Sequence, residues 1–223
     1  MRKLPQTERI SFITQKLLLI AIYQGWIQTT LTEAATAVGV SKMTVTRCFD
    51  ELQALGLPFI KTEGKMRRFL WEDSRQALWK TVRPILRNPV SRQYRYGEKF
   101  KIGTTKLGGI SAISHYSMLA DSPYTVCAVS KADAKALDLN IMPPIPDAET
   151  PEMVVQVMPY DLDYGGNAVV DPLTAILSMT DEEMSDPRVE AAVEEILEDC
   201  LHVKGPDVSA VKAFPHPKKE SAK

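Results

Sequence analysis

The chain has 223 residues, of which 44% are hydrophobic and 25% are charged, a composition typical of folded proteins that argues against wholesale disorder. It contains no apolar run of about 18 residues, so we expect no transmembrane helix and no membrane partner. The three cysteines, Cys48, Cys127 and Cys200, are widely spaced and offer no zinc-binding pattern. These features favour a cytoplasmic location, reduced thiols and the absence of any metal or other cofactor.

Charge is distributed unevenly along the chain. Residues 1–100 contain 17 Lys and Arg against 8 Asp and Glu, a net charge of +9. Residues 101–223 contain 10 against 20, a net charge of −10. A surface rich in Lys and Arg attracts phosphates whatever the base sequence, so residues 1–100 are predicted to bind nucleic acid. The acidic part then needs a separate role.

The first predicted element is a helix that is apolar on two sides. Apolar residues recur at helical spacing from Ile10 to Ala21, and Phe12, Leu19 and Tyr23 form a second apolar row. A helix of this kind is expected to be buried on both sides. The second row is interpreted either as a dimer contact or as a contact with a second domain.

Residues 31–57 have the pattern of two short helices joined by a glycine. Thr32 is predicted to cap a helix that runs through Val38, and Gly39 suits the left-handed residue that closes it. Ser41 is a favourable N-cap for the next helix. Two helices joined by a tight glycine turn form the helix-turn-helix unit, whose second helix enters the major groove of DNA.

The second of these helices has distinct inward and outward faces. If Val45 points inward, helical geometry places Cys48, Phe49 and Leu52 on the same side. Short, polar or cationic residues then face outward, which lets the backbone approach the bases. Their side chains suit DNA, since a Met can contact a thymine methyl and an Arg can pair with a guanine edge or a phosphate. The candidate groove-contacting residues are Ser41, Lys42, Met43, Thr44, Thr46 and Arg47.

A basic hairpin is predicted directly after this unit. Residues 59–71 read as two short strands around a Glu63-Gly64 turn. The tip and the return strand carry Lys65, Arg67 and Arg68. A basic hairpin in this position is typical of the wing of a winged helix, which contacts the minor groove or the DNA backbone.

Residues 7–71 resemble the winged helix-turn-helix of bacterial regulators of the MarR type. Residues 31–57 carry most of the resemblance, with Ser41-Lys-Met-Thr-Val-Thr-Arg47 opening the second helix. The resemblance implies double-stranded DNA as partner, groove contacts from Lys42, Met43, Thr44, Thr46 and Arg47, and wing contacts from Lys65, Arg67 and Arg68. For such folds we expect a homodimer on a pseudo-palindromic site, with half-sites about one turn apart.

A connector follows the wing. Asp73 or Ser74 is predicted to cap a helix, and Pro84 is expected to kink or split it. Residues 83–99 are basic, with Tyr94 and Tyr96 interleaved among the cations. Two interpretations of this stretch stay open: it extends the phosphate-binding surface, or it docks on the acidic part of the chain.

The acidic part is predicted to be a small α/β domain. Residues 124–129 and 153–158 have strand composition, while Asp171-Pro172 and Asp186-Pro187 are typical helix starts. The whole chain is therefore predicted to be α+β. Its expected divisions are a winged-helix domain with connector helix at 1–90, an α/β partner or effector domain at 91–203 and a flexible tail at 204–223.

The acidic part contains three patterns that invite a chemical interpretation. Residues 103–108 superficially suggest a phosphate loop, but Gly109-Ile110 stands where Lys and Ser or Thr should follow. Asp161 and Asp163 are more typical of a solvated turn than of a paired-carboxylate metal site. His115 lacks an evident orienting carboxylate or nucleophile. We therefore expect no enzymatic activity. The rival hypothesis is metal-dependent nucleotide turnover that uses Asp161, Asp163 and His115.

The acidic part is similar to the C-terminal domain of AbiEi-type antitoxins. The similarity is carried by residues 107–119, 170–179 and 186–197. It implies an N-terminal winged helix joined to an antitoxin domain, autoregulation of an operon, and a nucleotidyltransferase-like toxin as partner. Two functions are expected from the combined sequence: a DNA-binding repressor with an antitoxin-like interaction domain, or an antitoxin for which DNA binding is secondary.

Overall fold

The computed structural model describes residues 10–64, 66–100, 105–137, 139, 145–146, 149–162 and 168–202. The fold is α+β, as predicted. Internal contacts divide the chain into two units at Arg87 and Asn88, close to the predicted boundary at residue 90, and the last described residues, 201–202, are grouped with the first unit. The predicted tail at 204–223 lies outside the described residues. No helix in the described chain is long and apolar enough to cross a membrane.

The first unit combines four helices with a small antiparallel sheet in its described residues. Its elements are α1 (Phe12–Gln24), β1 (Gln28–Thr30), α2 (Leu31–Val38), α3 (Lys42–Ala54), β2 (Ile60–Glu63), β3 (Met66–Leu70) and α4 (Arg75–Val82). The sheet order is β1-β3-β2, which confirms the hairpin. Strand β1 was not predicted because three polar residues have no alternation of apolar and polar side chains to detect.

The ends of α2 and α3 explain the tight turn between them. The cap of α2 is Thr30, so the prediction of Thr32 was wrong: the Thr30 hydroxyl accepts a hydrogen bond from the Glu33 amide (3.3 Å), and the Glu33 carboxylate accepts one from the Thr30 amide (2.8 Å). These two reciprocal hydrogen bonds provide partners for two backbone amides at the helix start that have none within the helix. Gly39 is left-handed (φ 74°) and Ser41 caps α3, as predicted.

Helix α1 is buried by the helices of its own unit. It packs against α2, α3 and α4. Leu17 and Ile20 of one apolar row and Leu19 and Tyr23 of the other are all buried. Burial on both sides is therefore confirmed, but neither row provides a free surface for a dimer contact.

Polar side chains at the start of α1 tie two other parts of the chain to it. Near the start of α1, the Glu51 carboxylate on α3 accepts hydrogen bonds from the amide (2.6 Å) and hydroxyl (2.9 Å) of Ser11 and from the hydroxyl of Thr14. The fully buried Gln15 amide group pairs with the Arg87 backbone through two 3.0 Å hydrogen bonds. Helix α3 and the chain after α4 are therefore both anchored on α1.

Proline 84 ends α4 rather than bending it. The helix begins after the Ser74 cap and stops at Val82, two residues before Pro84. Since a proline ring clashes with the preceding turn and has no amide to donate, termination is the lower-energy outcome here. The apolar residues that follow, Ile85 and Leu86, continue as a turn and not as a second helical segment.

The second unit is a four-stranded mixed sheet with helices. Its elements are β4 (Arg92–Tyr96), β5 (Lys106–Leu107), α5 (Gly109–Tyr116), β6 (Thr125–Ser130), α6 (Lys131–Ala136), β7 (Met153–Met158), α7 (Pro172–Ser178), α8 (Asp181–Met184) and α9 (Pro187–Leu201). The sheet order is β4-β7-β6-β5, with β6 and β7 parallel and the outer pairs antiparallel. Both predicted strands and both predicted proline-initiated helices are confirmed.

Residues 92–96 of the basic connector form the edge strand β4 of this sheet. Strand β4 pairs with β7 along its whole length. The Tyr96 hydroxyl donates to the Leu139 carbonyl (2.6 Å), and the Arg95 guanidinium donates to the Glu149 carbonyl (2.7 Å). Of the two interpretations of the connector, docking on the acidic half therefore holds for residues 92–96.

Gly109, which directly follows the segment compared with a phosphate loop, has a packing role. Gly109 opens α5 with a positive φ of 45°. A Cβ at this position would lie 3.2 Å from Cγ1 of Val126 and 3.4 Å from Nε2 of Gln156. The helix can approach strands β6 and β7 this closely only without a side chain at position 109.

We expect all three cysteines to resist alkylation in the native protein. Burial raises the pKa of the thiols of Cys48 and Cys127, and burial together with the nearby Asp171 carboxylate raises that of Cys200 to about 12. Because the thiolate is the nucleophile, labelling by iodoacetamide at pH 8 should be slow until denaturant is added. Peptide mass spectrometry measures this; equal labelling of Cys127 in native and unfolded protein would contradict it.

Candidate nucleic-acid interface

Helix α3, the candidate recognition helix, is held in place by its inner face. Val45, Cys48, Phe49 and Leu52 are buried, as predicted. The Ser41 hydroxyl accepts a hydrogen bond from the Thr44 amide (3.2 Å) and so caps the helix. The opposite face of the first two turns is therefore directed to solvent.

The outward face presents two cations and one large apolar side chain. Lys42, Met43 and Arg47 are exposed, with Met43 68% exposed. In the described chain, neither Lys42 nor Arg47 forms an ion pair. Both cations are consequently available to phosphates or to base edges, and Met43 is available to an apolar partner such as a thymine methyl.

The remaining candidates on α3 are engaged locally. The hydroxyls of Ser41 and Thr44 lie 3.0 Å apart in a hydrogen bond. The Thr46 hydroxyl donates to the Lys42 carbonyl one turn earlier (3.0 Å). Thr44 and Thr46 are also half-buried. Because these side chains are short, they leave room for a partner to approach the helix backbone beside Lys42 and Arg47.

The β2–β3 hairpin, the wing, is connected to helix α3 by Arg67. This guanidinium donates to the carboxylate of Asp50 (2.7 Å) and to the side-chain oxygen of Gln53 (2.5 Å), and it lies 5.8 Å from the ring centre of Phe49. Its side chain is only 18% exposed. Arg67 thus positions the wing against α3.

The other wing cations are arranged differently. Arg68 is half-buried, with one guanidinium nitrogen 3.8 Å from the sulfur of Met66. Lys61 on β2, which sequence reasoning missed, is exposed and forms an ion pair with Glu63 (3.1 Å). Lys65 lies outside the described residues.

Strand alternation was the signal that distinguishes Arg67 from Arg68. Successive side chains of a strand point to opposite faces. Arg67 is two residues before Phe69, which is fully buried, so the two share the inner face. Arg68 shares the other face with Met66, which is 55% exposed.

We expect Arg67→Ala and Arg68→Ala to have different effects. Loss of the Arg67 contacts should lower the free energy of unfolding by about 1 kcal/mol, because it removes a half-exposed charged hydrogen-bond pair. Arg68→Ala should instead reduce the salt dependence of DNA affinity by about one unit if that cation meets a phosphate. Denaturant unfolding and salt titrations by fluorescence anisotropy separate the two. Identical stability losses in both variants would contradict the assignment.

The two described residues of the enzymatic alternative, Asp161 and His115, have different neighbours. Asp161 is exposed, and its carboxylate forms an ion pair with Lys106 (2.6 Å). His115 is exposed, with its ring 5.3 Å from that of Tyr116. Asp163 lies outside the described residues. Among the residues that are described, no group of three or more His, Cys, Asp or Glu is placed to hold a metal ion.

Comparisons with known proteins add little to this geometry. No family model and no curated protein matches the chain. Among solved structures, the crystal structure of the RV2827C protein from Mycobacterium tuberculosis is similar at 11% identity, over 87% of this chain and 74% of that chain, with a TM-score of 0.24. Conclusions about function therefore rest on the residues themselves.

Proposed function

We propose that this protein is a DNA-binding transcriptional regulator that binds duplex DNA through the start of α3. The observation that carries the proposal is the pair of exposed cations, Lys42 and Arg47, on the outer face of a capped helix, neither of which has an ion-pair partner among the described residues. They lie in the half of the chain with a net charge of +9. An α-helix of this kind fits the width of the major groove.

The chemistry of the exposed face supports sequence-dependent binding. Arg47 offers the two-pronged donor geometry that guanine accepts, and Lys42, at the helix start, suits a phosphate. Met43 adds an apolar contact of the type that thymine methyls accept. The wing follows α3 and is locked to it by Arg67, so both elements meet one duplex as a single rigid surface.

Repression by occlusion is the mechanism that this binding mode supports. A helix in the major groove and a wing on the flank cover the DNA that polymerase would use. A dimer on two half-sites about one helical turn apart is the arrangement expected of such folds. Because α1 is covered within its own unit, the dimer contact would come from elsewhere in the chain.

Selection of random duplex DNA by the full chain tests this proposal. We expect an enriched sequence, with paired half-sites if a dimer binds. A charge-reversed variant, K42E/R47E, should enrich nothing, whereas the matched variant K80E/K131E, altered on α4 and α6, should enrich the same sequence. Recovery of unselected DNA by the wild-type chain would overturn the proposal.

A second candidate function is an antitoxin whose main role is to neutralise a nucleotidyltransferase-like toxin. The observation that favours it is a second unit with its own buried core and a net charge of −10 beyond residue 100, which is unsuited to DNA. Growth of cells that co-express a toxin from a neighbouring gene with residues 88–223 tests this role. Rescue without the winged helix would support it.

A further inference from the structure

A cavity of about 530 Å³ in the second unit has a basic wall. It lies where the start of β4 and the end of β7 meet helix α6. Three cations line it, Arg92 from β4 and Lys131 and Lys135 from α6, and no described residue of the wall is acidic. The volume is within the range of about 300–1,000 Å³ that small-ligand sites occupy. Cations grouped around a concave surface attract anions to it.

The backbone brings the three cations to one place. Arg92 and Tyr96 are four residues apart in β4, so they share one face of the sheet. Tyr96 is fully buried in a core cluster against which Ala134 of α6 packs, so α6 covers that face. Lys131 and Lys135 are also four residues apart and therefore lie side by side on the helix. Arg92 and the two lysines thus border the same cavity.

No ion pair joins any of these cations to a carboxylate of the described chain. The Arg92 guanidinium donates to the hydroxyl of Tyr94 (3.2 Å), which carries no charge to oppose it. Strands β4 and β7 contain no acidic residue. Asp133, the one acidic residue of α6, accepts a hydrogen bond from the Ser130 hydroxyl (2.7 Å) and lines a different cavity. The described wall therefore presents three positive charges without a negative one.

A phosphate monoester fits this wall better than a carboxylate does. At neutral pH it carries a charge of about −1.5 to −2 and offers three strong acceptor oxygens. An arginine and two lysines supply charged donors to such a group. The wall also includes the apolar side chains of Ala134, Leu139 and Val157. An apolar or aromatic body attached to the phosphate can pack against them.

The surrounding charge favours a small anion over nucleic acid. Residues 101–223 have a net charge of −10. At physiological ionic strength, exposed charges are screened beyond about 8 Å, so a ligand inside the cavity interacts mainly with the three cations. A duplex is longer than the cavity and would also approach the acidic remainder of the unit, which repels phosphates.

We propose that the second unit binds a small phosphate monoester with an apolar or aromatic body in this cavity, and that Arg92, Lys131 and Lys135 bind the phosphate. Every residue that carries the proposal belongs to the second unit, so it does not depend on DNA binding by the first. It gives this unit a ligand-binding role beside any protein partner.

Titration of the full chain with phenyl phosphate, phenol and inorganic phosphate tests the choice of ligand. In ¹H–¹⁵N correlation spectra, phenyl phosphate should shift the backbone amides of residues 91–94 and 131–135. It should bind at least about tenfold more tightly than phenol, which lacks the charge, and more tightly than inorganic phosphate, which lacks the apolar body. Binding no tighter than that of either control, or amide shifts at other residues only, would overturn the proposal.

Two double variants of the full chain test the cations. Lys131→Gln with Lys135→Gln should weaken phenyl phosphate binding about tenfold, because it removes two of the three charges. Lys80→Gln with Lys99→Gln removes the same charge outside the cavity and should bind as the wild type does. All four lysines are exposed, so the melting temperatures should not change. Equal losses of binding in the two variants would contradict the proposal.

Binding of the same variants to duplex DNA of random sequence tests the nucleic-acid alternative. We expect Lys131→Gln with Lys135→Gln to bind the duplex no more weakly than Lys80→Gln with Lys99→Gln does. If the first variant loses affinity for the duplex and keeps its affinity for phenyl phosphate, the cavity cations serve nucleic acid and the proposal fails. Failure of DNA binding by the whole chain would instead leave the phenyl phosphate result unchanged.

Discussion

Replacing Arg47 with alanine is expected to weaken binding to the selected DNA by about 1–3 kcal/mol, or roughly 5- to 150-fold. Arg47 is exposed and has no ion-pair partner among the described residues, so its removal costs the fold little. Fluorescence anisotropy with a labelled duplex measures the affinity, and thermal unfolding measures the stability. If Arg47 reads a guanine, the loss should be confined to sequences that keep that base pair.

Lys80→Ala is the matched control for this variant. Lys80 is an exposed cation on α4 of the same unit, so the two substitutions change the net charge equally. We expect the control to retain nearly all of the wild-type affinity. Equal losses in Arg47→Ala and Lys80→Ala would mean that DNA responds to total charge, and α3 would then have no special place in binding.

Division of the chain at the boundary between the units should separate the basic part from the acidic part, and DNA binding from partner binding. We expect residues 1–87 to bind duplex DNA, with reduced affinity if dimerisation needs the remainder. Residues 88–223 should fold and should not bind DNA at moderate salt, because their excess negative charge repels phosphate. Gel-shift assays and circular dichroism of each fragment measure this.

The position of the cut decides whether the second fragment is informative. A cut near residue 100 would remove β4, which pairs with β7 from Arg92 to Tyr96. The edge of β7 would then be exposed. A cut at Asn88 keeps the sheet complete. DNA binding by residues 88–223 together with no binding by residues 1–87 would reverse the assignment of roles.

Local signals predicted much of the recognition element. Gly39 and Ser41 fix the turn and the start of α3, and the spacing of Val45, Cys48 and Leu52 fixes its buried face. These features act within a few residues of one another, so the sequence displays them directly. The outward placement of Lys42 and Arg47 follows from the same spacing.

Features that depend on distant partners were not predicted. Strand β4 has only Tyr94 and Tyr96 as apolar residues, and its pairing partner β7 lies about sixty residues later in the chain. The role of Arg67 depends on Asp50 and Gln53, which only the folded hairpin brings near it. The sequence of a strand shows which residues share a face. It does not show which other element will pack against that face.

A crosslinking experiment tests the central claim most directly. Met43 on α3 and Met118 in the second unit are both large exposed side chains, 68% and 75% exposed respectively. A photoreactive amino acid can replace either one in the full chain bound to the selected duplex. We predict efficient crosslinking to DNA bases from position 43 and none from position 118. Crosslinks from position 118 without any from position 43 would contradict the assignment of α3 as the DNA-reading helix.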